Sequence, residues 1–229
     1  MKKYFLPLFL FVTVQNLFSA APEITDRELV FYFSPEYNRA FNFCWDISAI
    51  SALTLNNRYT VRGGLAPGMV GNTPFLKGFA GGEAALPFNI PLHIGLNYNY
   101  NSLPEYENHI HSLPLLASLK WDRAGGSLGV NFRFTSFQSG PPAFEPVLTV
   151  LVYVNIINSD SVRLGLKIAN FDDFFYGNFG SYFLNFNSTV RLNEKLSLIN
   201  EIDIRQSGSI ALAANFYGFV YRGGVVFSW

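Results

Sequence analysis

The chain has 229 residues, of which 49% are hydrophobic, 17% aromatic and only 14% charged, and its formal net charge at pH 7 is +0. About a quarter of an ordinary soluble domain is charged, and a balanced charge lacks the basic surplus of a nucleic-acid binder. The single Cys44 excludes an internal disulfide.

Met1-Lys2-Lys3, the apolar stretch Tyr4–Val14, Gln15-Asn16 and the small residues Ser19-Ala20-Ala21 predict a secretory signal peptide over residues 1–21. Gln15-Asn16 cuts the apolar stretch well short of the ~20 residues of a membrane helix. Loss of Lys2 and Lys3 leaves 14 basic against 16 acidic residues, a slightly acidic mature chain. Beyond Ala21 the longest apolar run is "VLTVLVYVNII", Val147–Ile157, β-branched and of strand length. High apolar content without a helical span predicts a membrane β-barrel, in which alternate residues face lipid. Residues 22–229 read as one such domain, with no repeat or linker.

In chain order, a first strand is expected near Glu28–Ser34. "FNFCWDISAISALTLNNRYTVRGGL" turns back at Asn56-Asn57. "PLHIGLNYNY" sets Leu92, Ile94, Leu96, Tyr98 and Tyr100 against His93, Asn97 and Asn99. "GSLGVNFRF" opposes Leu128, Val130, Phe132 and Phe134 to Asn131 and Arg133, and "SVRLGLKIAN" opposes Val162, Leu164, Leu166 and Ile168 to Arg163 and Lys167. The clearest hairpin, Ser181–Arg205, keeps period-two alternation in both arms around Asn193-Glu194. Tight connections are expected at Asn56-Asn57, Pro87–Asn89, Asp122–Gly126, Asn158–Asp160 and Asn193–Lys195. Longer loops are expected at Ala66–Pro74, Asn101–Asn108, Gln138–Ala143, Asn170–Gly180 and Gln206–Ala213. Short turns on one side and long loops on the other are the asymmetry of an outer-membrane barrel.

The last strand, "FVYRGGVVFSW", alternates Tyr221, Val225 and Phe227 up to a terminal Trp229, with Gly223 breaking the apolar series. This segment resembles the closing strand of bacterial outer-membrane β-barrel proteins, small porins among them. The resemblance implies an all-β, transmembrane, antiparallel up-and-down barrel in the outer membrane, in contact with outer-membrane lipid. It also implies that Tyr221, Val225, Phe227 and Trp229 form the signal read by the barrel assembly machinery. Counting back from Trp229 gives twelve strands, with ten or eight as the smaller even closures. The oligomeric state is left open.

With the apolar face outward, Arg58, Arg62, Lys77, Lys120, Arg133, Arg163, Lys167, Arg191, Arg205 and Arg222 are expected to line the lumen, against the acids Asp46, Glu83, Glu201 and Asp203. Glu105, Glu107, Glu145, Asp172 and Asp173 are expected in loops. Six surplus cations could not stay buried without water, so the expectation is a wetted channel passing small, preferentially anionic solutes. A structural or adhesive surface barrel is the alternative and a lipid hydrolase the third reading. For hydrolysis Ser112 lies near His109 and His111, but the alternation puts Ser112 inward and both histidines on the opposite face, so no catalytic residue is assigned. Glu105, Glu107, His109 and His111 have a loop spacing too weak to define a metal site, Asp172-Asp173 is only a weak Ca²⁺ signal, and no metal or cofactor is expected. The aromatic stretch "NFDDFFYGNFG" is read as an inward-folded constriction or an upper aromatic girdle, and Cys44 as an inward core filler.

Overall fold

The computed structural model describes residues 23–39, 42–103, 108–137, 139–174, 181–207 and 215–229; residues 1–21, read as a signal peptide, and Glu105 and Glu107 lie outside them. The described chain forms twelve strands: β1 Ile24–Asn38, β2 Asn42–Leu55, β3 Tyr59–Val70, β4 Thr73–Ala85, β5 Leu92–Leu103, β6 Asn108–Lys120, β7 Ala124–Phe137, β8 Ala143–Asn158, β9 Val162–Ala169, β10 Ser181–Arg191, β11 Leu196–Ser207 and β12 Asn215–Ser228. Each pairs antiparallel with its chain neighbours. β1 closes the barrel against β12, from Glu28↔Ser228 to Asn38↔Gly218. Closure leaves no unpaired sheet edge, which a lipid environment would penalise heavily.

The partition of side chains follows the alternation, and it is inside-out. Leu65, Leu128, Val152, Ile168, Phe33 and Ile47 are more than half or about half exposed on the outer surface, whereas Asn131, Thr149, Asn185 and Asp203 are fully buried within. Exposed aromatics concentrate toward the two rims: Phe88, Trp121 and Trp229 at the rim holding both chain ends, and Tyr37, Phe43, Phe137 and Phe144 at the far rim. Two aromatic girdles around an apolar band mark a membrane-spanning barrel. Phe132, Phe144 and Phe134 stack on one another, at centroid distances of 6.4 and 4.7 Å.

Connections at the chain-end rim are short. Asn56 and Asn57 both adopt positive φ, 53° and 52°, the turn geometry that matches strand twist and that Asn tolerates. At the far rim the sequence expectation fails once: Ala66–Pro74 is not a loop. β3 runs to Val70, β4 resumes at Thr73, and Gly71-Asn72 alone connect them, with Gly71 at φ 56°. Proline and glycine there suggested irregular chain, but the β2–β3 ladder merely omits the two pairs at Ala66 and Pro67 and resumes at Gly68. A proline is accommodated where its missing N–H costs one ladder bond. β1 is also longer than the expected Glu28–Ser34, and the extension brings Glu36 into the barrel wall.

Gly223 has a local explanation. A Cβ there would lie 2.9 Å from the Tyr221 hydroxyl, so the glycine gives room for the Tyr221 ring to lie along the strand, and that hydroxyl donates to Asn200 Oδ1 at 2.8 Å. An aromatic covering a strand glycine restores the lost surface.

Candidate functional site

The inner wall is built by register. Glu201 of β11 stands directly opposite Arg222 of β12, and Asn185 of β10 opposite Asp203 of β11. Arg222 thereby sits among carboxylates: Nη1 lies 2.7 Å from Asp203 Oδ2 and 3.1 Å from Glu201 Oε2, and Nη2 lies 2.7 Å from Asp172 Oδ2. Asn185 Nδ2 donates to Asp203 Oδ1 at 2.6 Å, and Asn187 Nδ2 donates to Asn185 Oδ1 at 2.8 Å. Nearby, Arg205 Nη1 pairs with Glu36 at 2.5 Å and Lys77 Nζ with Asp46 at 3.0 Å. Lower in the bore Lys120 pairs with Glu83, and Arg133 pairs with its cross-strand partner Glu145 toward the far rim.

A second structural element completes the site. Residues 170–174, between β9 and β10, turn into the lumen and cross it. Asn170 starts the segment by clamping to β8: its Nδ2 donates to Leu148 O at 2.7 Å and its Oδ1 accepts from Val150 N–H at 2.8 Å. Phe171 is buried. Asp172 reaches Arg222 on β12 and accepts from the Phe174 amide at 2.8 Å. Asp173 pairs with Arg62 on β3, and its carbonyl accepts from Asn99 Nδ2 of β5 at 2.5 Å. Phe174 meets Phe79 of β4 edge-on at 5.1 Å. In a ring of twelve strands β3 is diametrically opposite β9, so the segment spans the full bore.

What remains open is two adjoining polar cavities of about 350 and 390 Å³. Both are bounded by Tyr32, Ile50, Arg62, Glu83 and Asp173, which places the Arg62–Asp173 pair at the neck between them. Burial alone would push the Asp172 carboxyl up; Arg222, Arg205, Lys167 and the Phe174 amide outweigh it and hold the group below the usual carboxylate range.

Of the ten cations expected in the lumen, Arg62, Lys77, Lys120, Lys167, Arg205 and Arg222 line the cavity of about 350 Å³ and Arg163 the other. Arg133 points the same way from β7, nearer the far rim. Arg58 and Arg191 belong to the chain-end rim instead. Arg58 Nε donates to Ala85 O at 3.0 Å and Arg191 Nε to Asn193 O at 3.2 Å. Of the four expected acids, Asp46, Glu83 and Glu201 line the cavity of about 350 Å³, and Asp203 lies buried behind Arg222. The charge balance differs from that read in the sequence, because five further acids face inward. Glu145 lies within β8 rather than in a loop. Asp172 and Asp173 do lie in a connection, but their side chains enter the bore. Glu28 and Glu36 come from β1. Among the described residues, Lys167 and Arg163 form no ion pair. Lys167 Nζ lies 5.4 Å from the Phe183 ring centroid, and Arg163 Nε donates to Asn158 Oδ1 at 3.1 Å.

The extension of β1 was the one signal that could have found Glu36, since Tyr32, Ser34 and Glu36 continue the inward series. Nothing in the local pattern shows that a loop will fold inward. Ser112 is buried facing in, where it accepts from Asn131 Nδ2 at 3.3 Å. His109 and His111 face out, hydrogen-bonded to the hydroxyls of Tyr100 and Tyr98 at 2.8 and 2.7 Å. Tyr221, Val225 and Phe227 lie along the outer face of β12 with exposed Trp229 just past its end, and Cys44 packs inward against Val70 and Phe75.

No protein-family model matches the sequence, and neither does any curated protein. Solved structures do. The KdgM porin in complex with disordered oligogalacturonate matches with a TM-score of 0.58 at 9% identity, covering 88% of this chain and 99% of that one. The NanC porin matches with a TM-score of 0.57 at 12% identity, covering 86% and 98%. The translocator domain of the autotransporter NalP from Neisseria meningitidis matches with a TM-score of 0.55 at 13% identity, covering 96% and 94%. At such identities the likeness is one of fold: the chain has the twelve-stranded fold of bacterial outer-membrane β-barrel proteins, porins included.

Proposed function

We propose that this protein is a narrow outer-membrane channel for small hydrophilic solutes. The supporting observation is the bore itself: two adjoining cavities lined by ionised side chains, which water must enter to solvate. Apolar packing fills part of the interior, through buried residues such as Phe75, Phe79, Phe171 and Phe183, but the cavities beside it are lined largely by polar and charged side chains. Among solutes, small anions are favoured by Lys167 and Arg163, the lumenal cations without a carboxylate partner among the described residues. The preference is modest because most other cations are paired. The KdgM porin, solved with an oligogalacturonate, is an instance of this fold holding an acidic sugar chain. The signal peptide over residues 1–21, delivery to the outer membrane and recognition of the Tyr221–Trp229 edge by the assembly machinery belong to the same proposal.

Purified protein in planar bilayers tests it. A channel gives steady conductance, and Arg163→Glu lowers its anion preference. Silence in the bilayer, from protein whose gel migration is heat-modifiable, would leave a structural or adhesive barrel as the better reading. Release of fatty acid from phospholipid would revive the hydrolase.

A further inference from the structure

The charges around the segment 170–174 carry an inference that rests on the channel reading and deepens it. On the wall of the cavity of about 350 Å³, Lys77 with Asp46, Lys120 with Glu83, Arg205 with Glu36, and Arg222 with Glu201 cancel in pairs. Asp203 lies buried behind Arg222, outside the lining. Arg62 and Lys167 add two positive charges, so the strands alone give the lining a formal +2. Asp172 and Asp173 bring it to 0. The charge of the bore therefore depends on two adjacent residues of a connecting segment as well as on the barrel wall.

We propose that Asp172 and Asp173 are the selectivity-setting residues of the channel: a built-in pair of carboxylates seated on Arg222 and Arg62, where an acidic solute would otherwise bind. The seats suit this role. Each aspartate reaches a guanidinium on a different strand; Asp173 lies at the neck between the two cavities and Asp172 in one of them. An arginine presents a planar fork matched to a carboxylate, so a solute bearing two carboxylates would meet the same chemistry. Any permeating ion passes within about 10 Å of both groups, roughly a Debye length, so their charge reaches it only partly screened.

The test compares reversal potentials in planar bilayers under a KCl gradient for the wild type, Asp172→Asn/Asp173→Asn, Asp173→Asn, and Asp160→Asn as a control in a chain-end-rim turn. Asparagine keeps the shape of aspartate, and Asp173→Asn alone leaves the buried Arg222 cluster intact, so a folding defect in the double variant does not end the experiment. Removing two charges about 10 Å from the ion path raises the chloride-to-potassium permeability ratio roughly tenfold. Asp173→Asn gives a smaller shift in the same direction and Asp160→Asn none. A silent wild type beside conducting variants overturns it, since the segment then closes the bore instead of setting its selectivity. Conducting variants whose reversal potentials equal the wild type's overturn it and leave the channel reading standing. Silence from all four folded proteins overturns the channel reading, and this inference with it.

Discussion

The two halves of the bore wall are built differently. The half from β10 through β12 to β2 is ionic: Asp203, Glu201, Arg222, Arg205, Glu36 and Asp46 form linked pairs that hold one another in place. At the same height the half from β6 to β8 is neutral, with Ser112, Asn131, Thr149 and Leu151. There, Asn131 Oδ1 and Thr149 Oγ1 have no hydrogen-bond partner from the protein, so solvent must satisfy them. The lesson concerns division of labour. The ionic half fixes the crossing segment through Arg222, whereas Ser112, Asn131 and Thr149 of the neutral half are buried and line neither cavity. A uniformly charged wall would trap ions, and a uniformly neutral one could not hold the segment.

Breaking the ionic half gives the largest effect. Arg222→Met leaves Asp172, Glu201 and Asp203 facing one another without their shared cation and destabilises the barrel by about 3–5 kcal/mol, measured by denaturant unfolding in detergent. Adding Glu201→Gln and Asp203→Asn recovers most of that loss. Next is the outer surface of the neutral half, where Val130→Arg near the middle of β7 costs about 2–4 kcal/mol by exposing charge to lipid, read in the same assay. A third comparison sharpens the difference between paired and free cations. Arg163→Glu lowers the chloride-to-potassium permeability ratio more than Arg133→Glu, because Arg133 already shares its charge with Glu145.

Acid separates the two halves without mutation. The folded Asp172 carboxyl titrates below its ordinary value, so its hold on the segment is fully present above the ordinary carboxylate range of about 4 and is lost as pH falls through the lowered value. The groups facing it are Arg222, Arg205 and Lys167, with Glu201 and Asp203 behind them. The contribution of Asp172 to selectivity should therefore hold from neutral pH down to about 4 and be lost below it, as followed by reversal potential in Asp173→Asn. The smallest effect is in the neutral half, where Thr149→Val changes stability by no more than about 1 kcal/mol, since its hydroxyl has no protein partner to lose.

Much of this architecture was legible in the residue order. The alternation in Ser181–Arg205 and Val162–Ala169 assigned the faces of β9, β10 and β11 correctly, because a two-residue period leaves one choice once lipid excludes charge. The strand count followed from the parity of the turns. Pro67 and Pro74 misled, since proline marks a loop only when its lost N–H is needed, and here the ladder absorbs it. The charge balance of the bore was not legible. Counting charges on strands finds the cations, but three of the carboxylates that face them come from the unrecognised end of β1 and from a loop.

The sequence by itself determined which side chains face lipid and which face the axis, because transfer of a charge into hydrocarbon costs several kcal/mol and sets the pattern residue by residue. Only the tertiary structure decided which charges meet. Arg222 and Asp172, or Arg62 and Asp173, are far apart in the chain and come together across a closed ring. Their pairing depends on barrel diameter, stagger and the path of one connection, none of which a local pattern encodes.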